Sequence, residues 1–137
     1  GQMSNYYGYA RSNYFRVKNL DKFKAAVKNC GVRVEPGIDR DQGKVALLAT
    51  GESGWSSSYV DAKGNDVDAS IHDIVQEHLA DDEVAIFMEI GWENLRYLSG
   101  CAVAVNSKNE SVCISLSDIY NDKRVKKLGK SMTRAEY

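Results

Sequence analysis

The stretch from Glu83 to Leu116 most constrains the fold, because it reads as three strands joined by two short turns. Apolar residues alternate with others along its first part, and a period of two places one set of side chains on one face of a sheet. Connections of so few residues join antiparallel neighbours. We therefore predict a three-stranded antiparallel meander. The side chains predicted to face its core are Val84, Ile86, Met88, Ile90, Val112, Ile114 and Leu116.

The two turns of this meander are predicted at Gly91–Asn94 and at Asn106–Asn109. The strand between them, Leu95–Val105, is long and contains Gly100. Glycine inside a strand often marks a bulge, so we expect one there.

Three helices are indicated by caps and by helical spacing. Asn19 is a favourable N-cap, and the apolar residues that follow share one helical face as far as Cys30, so a helix is predicted over Leu20–Cys30. Gly31 suits the left-handed position after a helix. Ser70 predicts the start of a second helix that ends near Asp81. A third is predicted from the cap Ser117 through Leu128.

Shorter strands are predicted at Tyr14–Lys18, Val32–Glu35 and Lys44–Ala49. The element order is therefore β-α-β-β-α-β-β-β-α, which indicates a single α+β domain with a mostly antiparallel sheet and helices packed on one face. We assign residues 13–129 to this domain. Residues 1–12 are expected to form an irregular arm, and residues 130–137 a loose tail.

Composition points to a cytoplasmic protein with reduced thiols. The 137 residues contain no apolar run near the roughly 18 residues that a membrane span needs, and the N-terminal residues show no signal-peptide pattern. The three cysteines form no CxxC pair, which argues against a zinc ribbon or a thioredoxin-like site. We expect no membrane association.

Motifs for catalysis are missing. Asp39–Gly43 begins like a calcium loop but lacks the required glycine at its sixth position, and Gly51–Gly54 lacks the lysine of a phosphate loop. Helical spacing places His78 on an apolar face and His72 toward solvent. No serine, cysteine and histidine stand at recognisable spacing. We expect no cofactor, no metal and no enzymatic activity, with a small enzyme as an alternative.

Charge is spread unevenly. Between residues 61 and 93 there are ten acidic side chains and one basic side chain, Lys63. A continuous acidic surface of this kind would bind a basic partner, such as a nucleic-acid-binding complex. Trp55 lies in a polar loop, where it either folds back onto the core or anchors an interface. The residues predicted to bind a protein partner are Asp66, Asp68, Asp73, Glu77, Asp81, Asp82 and Trp55.

Both ends of the chain support a different function. Residues 1–30 carry six basic groups and one acidic group, and residues 118–137 carry six basic and three acidic groups. Tyrosines near the N-terminus would stack on bases while the basic groups meet phosphates. The residues of this nucleic-acid-binding alternative are Arg11, Arg16, Lys123, Arg124, Lys126 and Lys127. Pairing of the basic tail with the chain's own acidic surface, or with that of a second copy in a homodimer, is a further alternative.

The segments SNYFRV, LRYLSG, SLSDIY and TRAEY together resemble small uncharacterised proteins of bacteriophages and bacterial mobile elements. Such phage proteins often act as stoichiometric inhibitors of host defence, sometimes by presenting acidic surfaces. The resemblance thus implies an anti-defence role through protein–protein contact. It assigns no functional residue.

Overall fold

The computed structural model describes residues 6–51, 54–55, 58–60, 63–68, 70–94 and 96–135. They form an α+β fold, as predicted. The strands are β1 Tyr6–Ser12, β2 Val32–Pro36, β3 Val45–Ala49, β4 Ser58–Val60, β5 Asp66–Asp68, β6 Ala85–Glu93, β7 Tyr97–Val105 and β8 Ser111–Ser115. Six of them form an antiparallel sheet of order β2-β3-β1-β6-β7-β8, and β4 and β5 form a separate hairpin. The α-helices are α1 Leu20–Val27, α2 Ile71–His78 and α3 Lys123–Lys126, and 3-10 helices cover Asp39–Asp41 and Leu116–Asn121.

The prediction of an irregular arm over residues 1–12 is wrong for residues 6–12, which form β1 in the interior of the sheet. The strand predicted at Tyr14–Lys18 is instead a segment with two isolated bridges, Phe15 to Val45 and Val17 to Leu79. Polar side chains extend the sheet where β1 ends. Ser12 Oγ accepts from Leu47 N at 2.8 Å, and Asn13 Oδ1 accepts from Ile86 N at 2.8 Å.

Helices α1 and α2 cover one face of the sheet. Both begin as their caps predict, since Asn19 accepts a hydrogen bond from Lys22 N and Ser70 accepts one from His72 N. Both also end earlier than predicted. Gly31 takes the expected left-handed conformation, with a φ of 69°. The core between helices and sheet contains Phe15, Phe23, Val27, Cys30, Val45, Leu47, Ile71, Ile74, Val75, Leu79, Ala85, Phe87 and Val105.

Strand β6 turns the predicted face away from the helices. Ala85 and Phe87 are buried in the core, whereas Met88 is 58% exposed and Ile90 is 54% exposed. The turn predicted at Gly91–Asn94 is also wrong, because β6 continues to Glu93, where it pairs with Tyr97. Large apolar residues therefore lie on the face that α1 and α2 do not cover.

Strand β7 is regular at Gly100, so the predicted bulge is absent: Ile90 pairs with Gly100 in an unbroken register. The glycine serves a close approach instead, since a Cβ at this position would lie 3.0 Å from Leu116 Cδ1. Leu95 lies outside the described residues.

The helix predicted from Ser117 to Leu128 is divided. A 3-10 helix occupies Leu116–Asn121 behind the cap Ser115, and Asp122 caps the four-residue α3. Each new capping side chain competes with helix continuation, which explains the break. Residues 130–135 contain neither helix nor strand. This tail nevertheless contacts Tyr120, whose hydroxyl accepts from Ala135 N at 2.6 Å and whose ring lies 4.3 Å from the Arg134 guanidinium.

Among the described residues, none of the helices combines the length and the apolar character that crossing a membrane would require.

Candidate protein-binding surfaces

We define the open face as the side of the sheet opposite α1 and α2. Cross-strand pairing fixes its members, because directly paired residues point to the same side. Ile90 pairs with Tyr9 and Gly100, and Met88 pairs with Arg11 and Ala102, so all of these lie on one face. Seven large apolar side chains on or beside the open face are each more than half exposed: Tyr9, Met88, Ile90, Leu98, Val112, Ile114 and Leu116.

The area of this patch can be estimated from the size and exposure of its side chains. Full burial of a large aliphatic side chain is worth about 1.5–3 kcal/mol at about 25 cal/mol per Å², which corresponds to roughly 60–120 Å². Seven side chains that are more than half exposed therefore present roughly 250–500 Å² of apolar surface. That matches the largest patches on typical monomers, which are often functional.

Small residues along β7 shape this patch into a shallow channel. Ala102 and Ala104 lie between Met88 and Ile86 of β6 on one side and Ile114 and Val112 of β8 on the other. The flanking strands are two spacings apart, about 9.6 Å. Leu116 covers Gly100 and closes one end of the channel. None of the residues that form it carries a charge.

The other end of the channel is acidic. Ala104 pairs with Val112, and the next pair on this face is Asn106 with Glu110, whose carbonyl accepts from Asn106 N at 3.2 Å. Acidic side chains outnumber basic ones in the small depression there, which is lined by Asp82, Glu83, Glu110 and Lys108, among others. Carboxylates thus lie where the channel opens beyond Ala104.

A second depression lies across β6 from the channel. It has a volume of about 380 Å³ and is lined by Tyr9, Arg11, Leu48, Met88 and Ile90, among others. Tyr9 is 68% exposed, and its ring lies 5.8 Å from that of Trp92. This part of the open face combines aromatic rings with the guanidinium of Arg11.

The predicted acidic residues divide between two places. Asp73 and Glu77 are exposed one turn apart on α2, and Asp81 and Asp82 are exposed in the turn that leads to β6. None of these four carboxylates forms a salt bridge within the described part of the chain. Asp66 and Asp68 belong to β5, and their part in an acidic surface stays a prediction.

Trp55 folds back onto the core, which is the first of its two predicted roles. Its ring meets the Phe87 ring edge-on at 5.6 Å, and Trp55 N donates to Glu89 Oε2 at 3.1 Å. Gly54, at a φ of 88°, leaves the space that the Glu89 carboxylate fills. Trp55 is therefore half-buried on the covered face and does not anchor an exposed interface.

His72 also packs against the core, although it was predicted to face solvent. Its ring lies 4.5 Å from the Phe87 ring, and Nδ1 is 2.7 Å from Ser70 Oγ. Burial lowers the pKa of His72, and the nearby Asp73 and Glu89 carboxylates act in the opposite direction. The ring that was predicted to be buried, His78, lies 5.8 Å from Phe23.

The Cys101 thiol on β7 does not resemble a nucleophile. Burial raises the pKa of Cys101, and Glu89 and Cys113 raise it further. A reactive cysteine needs a lowered pKa, which favours the thiolate. Within the described residues, no three side chains of His, Cys, Asp or Glu gather closely enough to hold a metal ion.

The basic residues of the nucleic-acid alternative form two separate groups. Four of them lie together on α3 and at its C-terminal end: Lys123, Arg124, Lys126 and Lys127. Arg124 is held by Asp122 at 2.7 Å. Arg11 lies on β1, which β6 and β7 separate from β8, and Arg16 is exposed in the segment after β1.

The open face was missed at the sequence level because its residues were assigned to the core. A signal was present in β7, whose sequence LSGCAVAV places glycine and alanine at alternate positions. Small residues in the middle of a sheet leave space that a neighbouring element or a partner fills. At Gly100 the chain's own 3-10 helix fills this space through Leu116.

Comparison with protein-family models, with curated proteins and with solved structures yielded no match to this chain.

Proposed function

We propose that this protein is a non-enzymatic protein-binding module whose open face holds an amphipathic helix of a partner protein. The observation that carries this proposal is the uncharged channel along β7, bordered by Met88 and Ile114, which are 58% and 62% exposed. Solvent-exposed apolar surface of this extent is stabilised when a partner covers it.

The dimensions of the channel favour a helix as the occupant. The row from Gly100 to Ala104 is about 14 Å long, which corresponds to about two and a half helical turns. A helix of about 10–12 Å diameter is wider than the roughly 9.6 Å between the backbones of β6 and β8. It would therefore rest on top of the channel, with the apolar side chains of one face reaching toward the small residues of β7.

The acidic end of the channel indicates where a basic end of the partner helix would lie. Asp82 and Glu110 stand beyond the Ala104 end of the channel. A partner with Lys or Arg at one end of its apolar stripe would complement them, and such charges increase association rate and specificity more than affinity. The partner class is thus an apolar helical stripe with a basic end.

The resemblance to small phage proteins suggests a biological setting for this module. A stoichiometric inhibitor that occupies a helix of a host nucleic-acid-handling or defence complex would need no catalytic residues. The exposed carboxylates Asp73, Glu77 and Asp81 would add long-range attraction toward a basic complex.

A displayed library of helical peptides, randomised along the apolar stripe and at both ends, tests this proposal. Peptides selected on the wild-type chain should carry apolar residues at i, i+3, i+4 and i+7 and basic residues at one end. Met88→Glu and Ile114→Glu should each weaken their binding at least tenfold, because a carboxylate would then be buried without a partner.

Asp73→Lys combined with Glu77→Lys on the outer surface of α2 is the matched comparison. At about 0.15 M salt it should weaken peptide binding much less than Met88→Glu does, because these charges act on the peptide only at long range. Loss of binding in this control with retention in Met88→Glu would overturn the proposal in favour of the acidic surface of α2. A selection that yields no apolar stripe would also overturn it.

Nucleic-acid binding is the second candidate, and the pairing of exposed Tyr9 with Arg11 on the open face favours it. Single-stranded oligonucleotides would stack on Tyr9 and meet Arg11 through phosphates, so affinity must fall as salt rises. Anisotropy titrations at two salt concentrations, repeated with Tyr9→Ala, decide this candidate. Absence of binding at low salt removes it.

A further inference from the structure

The two edges of the six-stranded sheet are built differently. Strand β2 forms one edge and carries Arg33, Glu35 and Pro36, with Arg33 Nε 3.3 Å from Glu35 Oε2. Strand β8 forms the other edge with the sequence SVCIS, which contains neither charge nor proline. Charges and proline on an edge strand discourage pairing with another chain. By this criterion β2 is protected and β8 is not.

The backbone groups that β8 directs outward follow from the ladder. Asn106 N donates to Glu110 O, and residues in an antiparallel ladder alternate between bonded and non-bonded pairs. Ala104 therefore exchanges bonds with Val112, and Ala102 with Ile114. Ser111, Cys113 and Ser115 consequently direct their N–H and C=O groups away from β7.

One of these outward groups is already satisfied. Ser115 N donates to Asp118 Oδ2 at 2.7 Å, as part of the cap of the 3-10 helix. The N–H and C=O of Ser111 and Cys113 remain, and β8 has no second neighbour among the described residues. Four unpaired groups on one short, apolar strand form a template for another strand.

We propose that β8 pairs antiparallel with β8 of a second copy of this chain, with the two-fold axis passing through Val112. In this register Ser111 exchanges two hydrogen bonds with Cys113 of the partner subunit, and the symmetric pair does the same. All four free groups are then satisfied. A register centred on Cys113 would require the Ser115 N–H, which Asp118 already holds.

Side chains are compatible with this arrangement. Val112, which is 63% exposed, faces the partner's Val112 as a non-bonded pair with a Cα separation of about 4.5 Å. Such β-branched cross-strand pairs stabilise antiparallel sheets. Glu110 and the partner's Glu110 are about 14 Å apart, beyond the distance at which salt leaves exposed charges interacting strongly.

The dimer would join two six-stranded sheets and make the two open faces continuous. This inference rests on the backbone of β8 and is independent of helix binding in the channel. Either proposal can fail alone, because dimerisation is measured by sedimentation and cross-linking, whereas helix binding is measured with peptides.

Disulfide trapping tests the register. Val112→Cys is placed in a Cys101→Ser, Cys113→Ser background, and the chain is exposed to mild oxidation. A Cα separation of about 4.5 Å lies in the range that a disulfide accepts, so a covalent dimer should form rapidly.

Ile114→Cys in the same background is the matched control, because its thiols would be about 14 Å apart and should stay reduced. Equal cross-linking at both positions, or no dimer from Val112→Cys, would overturn the proposal.

Sedimentation of the full chain tests the dimer without cross-links. The wild-type chain should sediment as a concentration-dependent dimer, and Cys113→Ser should behave alike. Cys113→Pro removes an outward N–H and leaves the β7 ladder intact, so it should be monomeric with an unchanged free energy of unfolding. Cys113→Lys, which adds charge to the edge, serves if proline disturbs the fold. A monomeric wild-type chain, or a Cys113→Lys chain that still dimerises, would contradict the proposal.

Discussion

Both faces of the sheet carry large apolar side chains, but they differ in what covers them. On β6 the covered face presents Phe87, which is 1% exposed, and the open face presents its neighbour Met88, which is 58% exposed. Two helices, the half-buried Trp55 and the His72 ring pack on the covered face. On the open face, Leu116 of the same chain packs over Gly100.

This difference shows that alternation in a strand defines two faces without stating which one is covered. Val84, Ile86, Met88 and Ile90 form the more apolar set of β6, yet the core is built on Ala85 and Phe87. The choice depends on the shape of the helices that pack there, which is a tertiary property. An apolar set left outside is then available to a partner.

The largest expected effect compares adjacent residues of β6. Phe87→Ala removes a fully buried ring that contacts Trp55 and His72, and it should lower the free energy of unfolding by about 3–5 kcal/mol. Met88→Ala on the open face should change it by about 0.5 kcal/mol or less. Urea unfolding measures both. Similar losses for the two variants would show that the open face is covered in the isolated protein.

Much of the fold follows from local signals in the sequence. The caps Asn19 and Ser70, the left-handed Gly31 and the strands β2 and β3 were predicted because each depends on neighbouring residues. Strand β1 was missed because its pairing partners are distant in sequence: Arg11 pairs with both Leu48 and Met88.

The candidate site was less predictable, for the same physical reason. The exposure of Asp73 and Glu77 follows from helical spacing on α2, and both are exposed. The open face depends on which side of the sheet the helices choose, and the free edge of β8 depends on strand order. Neither property is encoded within a window of neighbouring residues.

A smaller effect is expected where polar groups seal the sheet at the end of β1. Ser12 is buried, and its hydroxyl accepts from Leu47 N and donates to Asn13 O, both at 2.8 Å. Ser12→Ala leaves the buried Leu47 N–H without a partner, which should lower the free energy of unfolding by about 1–3 kcal/mol. Thr50→Ala removes a hydroxyl that bonds the Gly31 carbonyl at an exposed position, where water replaces it, so a loss of about 0.5 kcal/mol or less is expected. Equal losses in the two variants would contradict the distinction between buried and exposed hydrogen bonds.

The cap of α1 tests how strongly the covering helix contributes. Asn19 Oδ1 accepts from Lys22 N at 3.0 Å, and Asn19→Ala should lower the free energy of unfolding by about 1 kcal/mol. Lys22→Ala keeps the backbone donor and is the control, with a change of about 0.5 kcal/mol or less. Thermal or urea unfolding that shows no difference between these variants would mean that packing alone holds α1 on the sheet.

The smallest expected effect is a pH dependence confined to the covered face. Burial lowers the pKa of His72 in the folded protein, so the unfolded chain binds a proton more readily as pH falls below the ordinary histidine value of about 6.5. Stability from the neutral ring is therefore complete above that value and is lost as pH falls through it toward the lower folded pKa. Unfolding free energies at about pH 7.5 and pH 5.5 should thus differ more for the wild-type chain than for His72→Gln, which cannot titrate. If His72→Gln retained the full pH dependence, protonation of carboxylates elsewhere would account for it. The neutral His72 ring would then not contribute to the stability of the packing between α2 and the sheet.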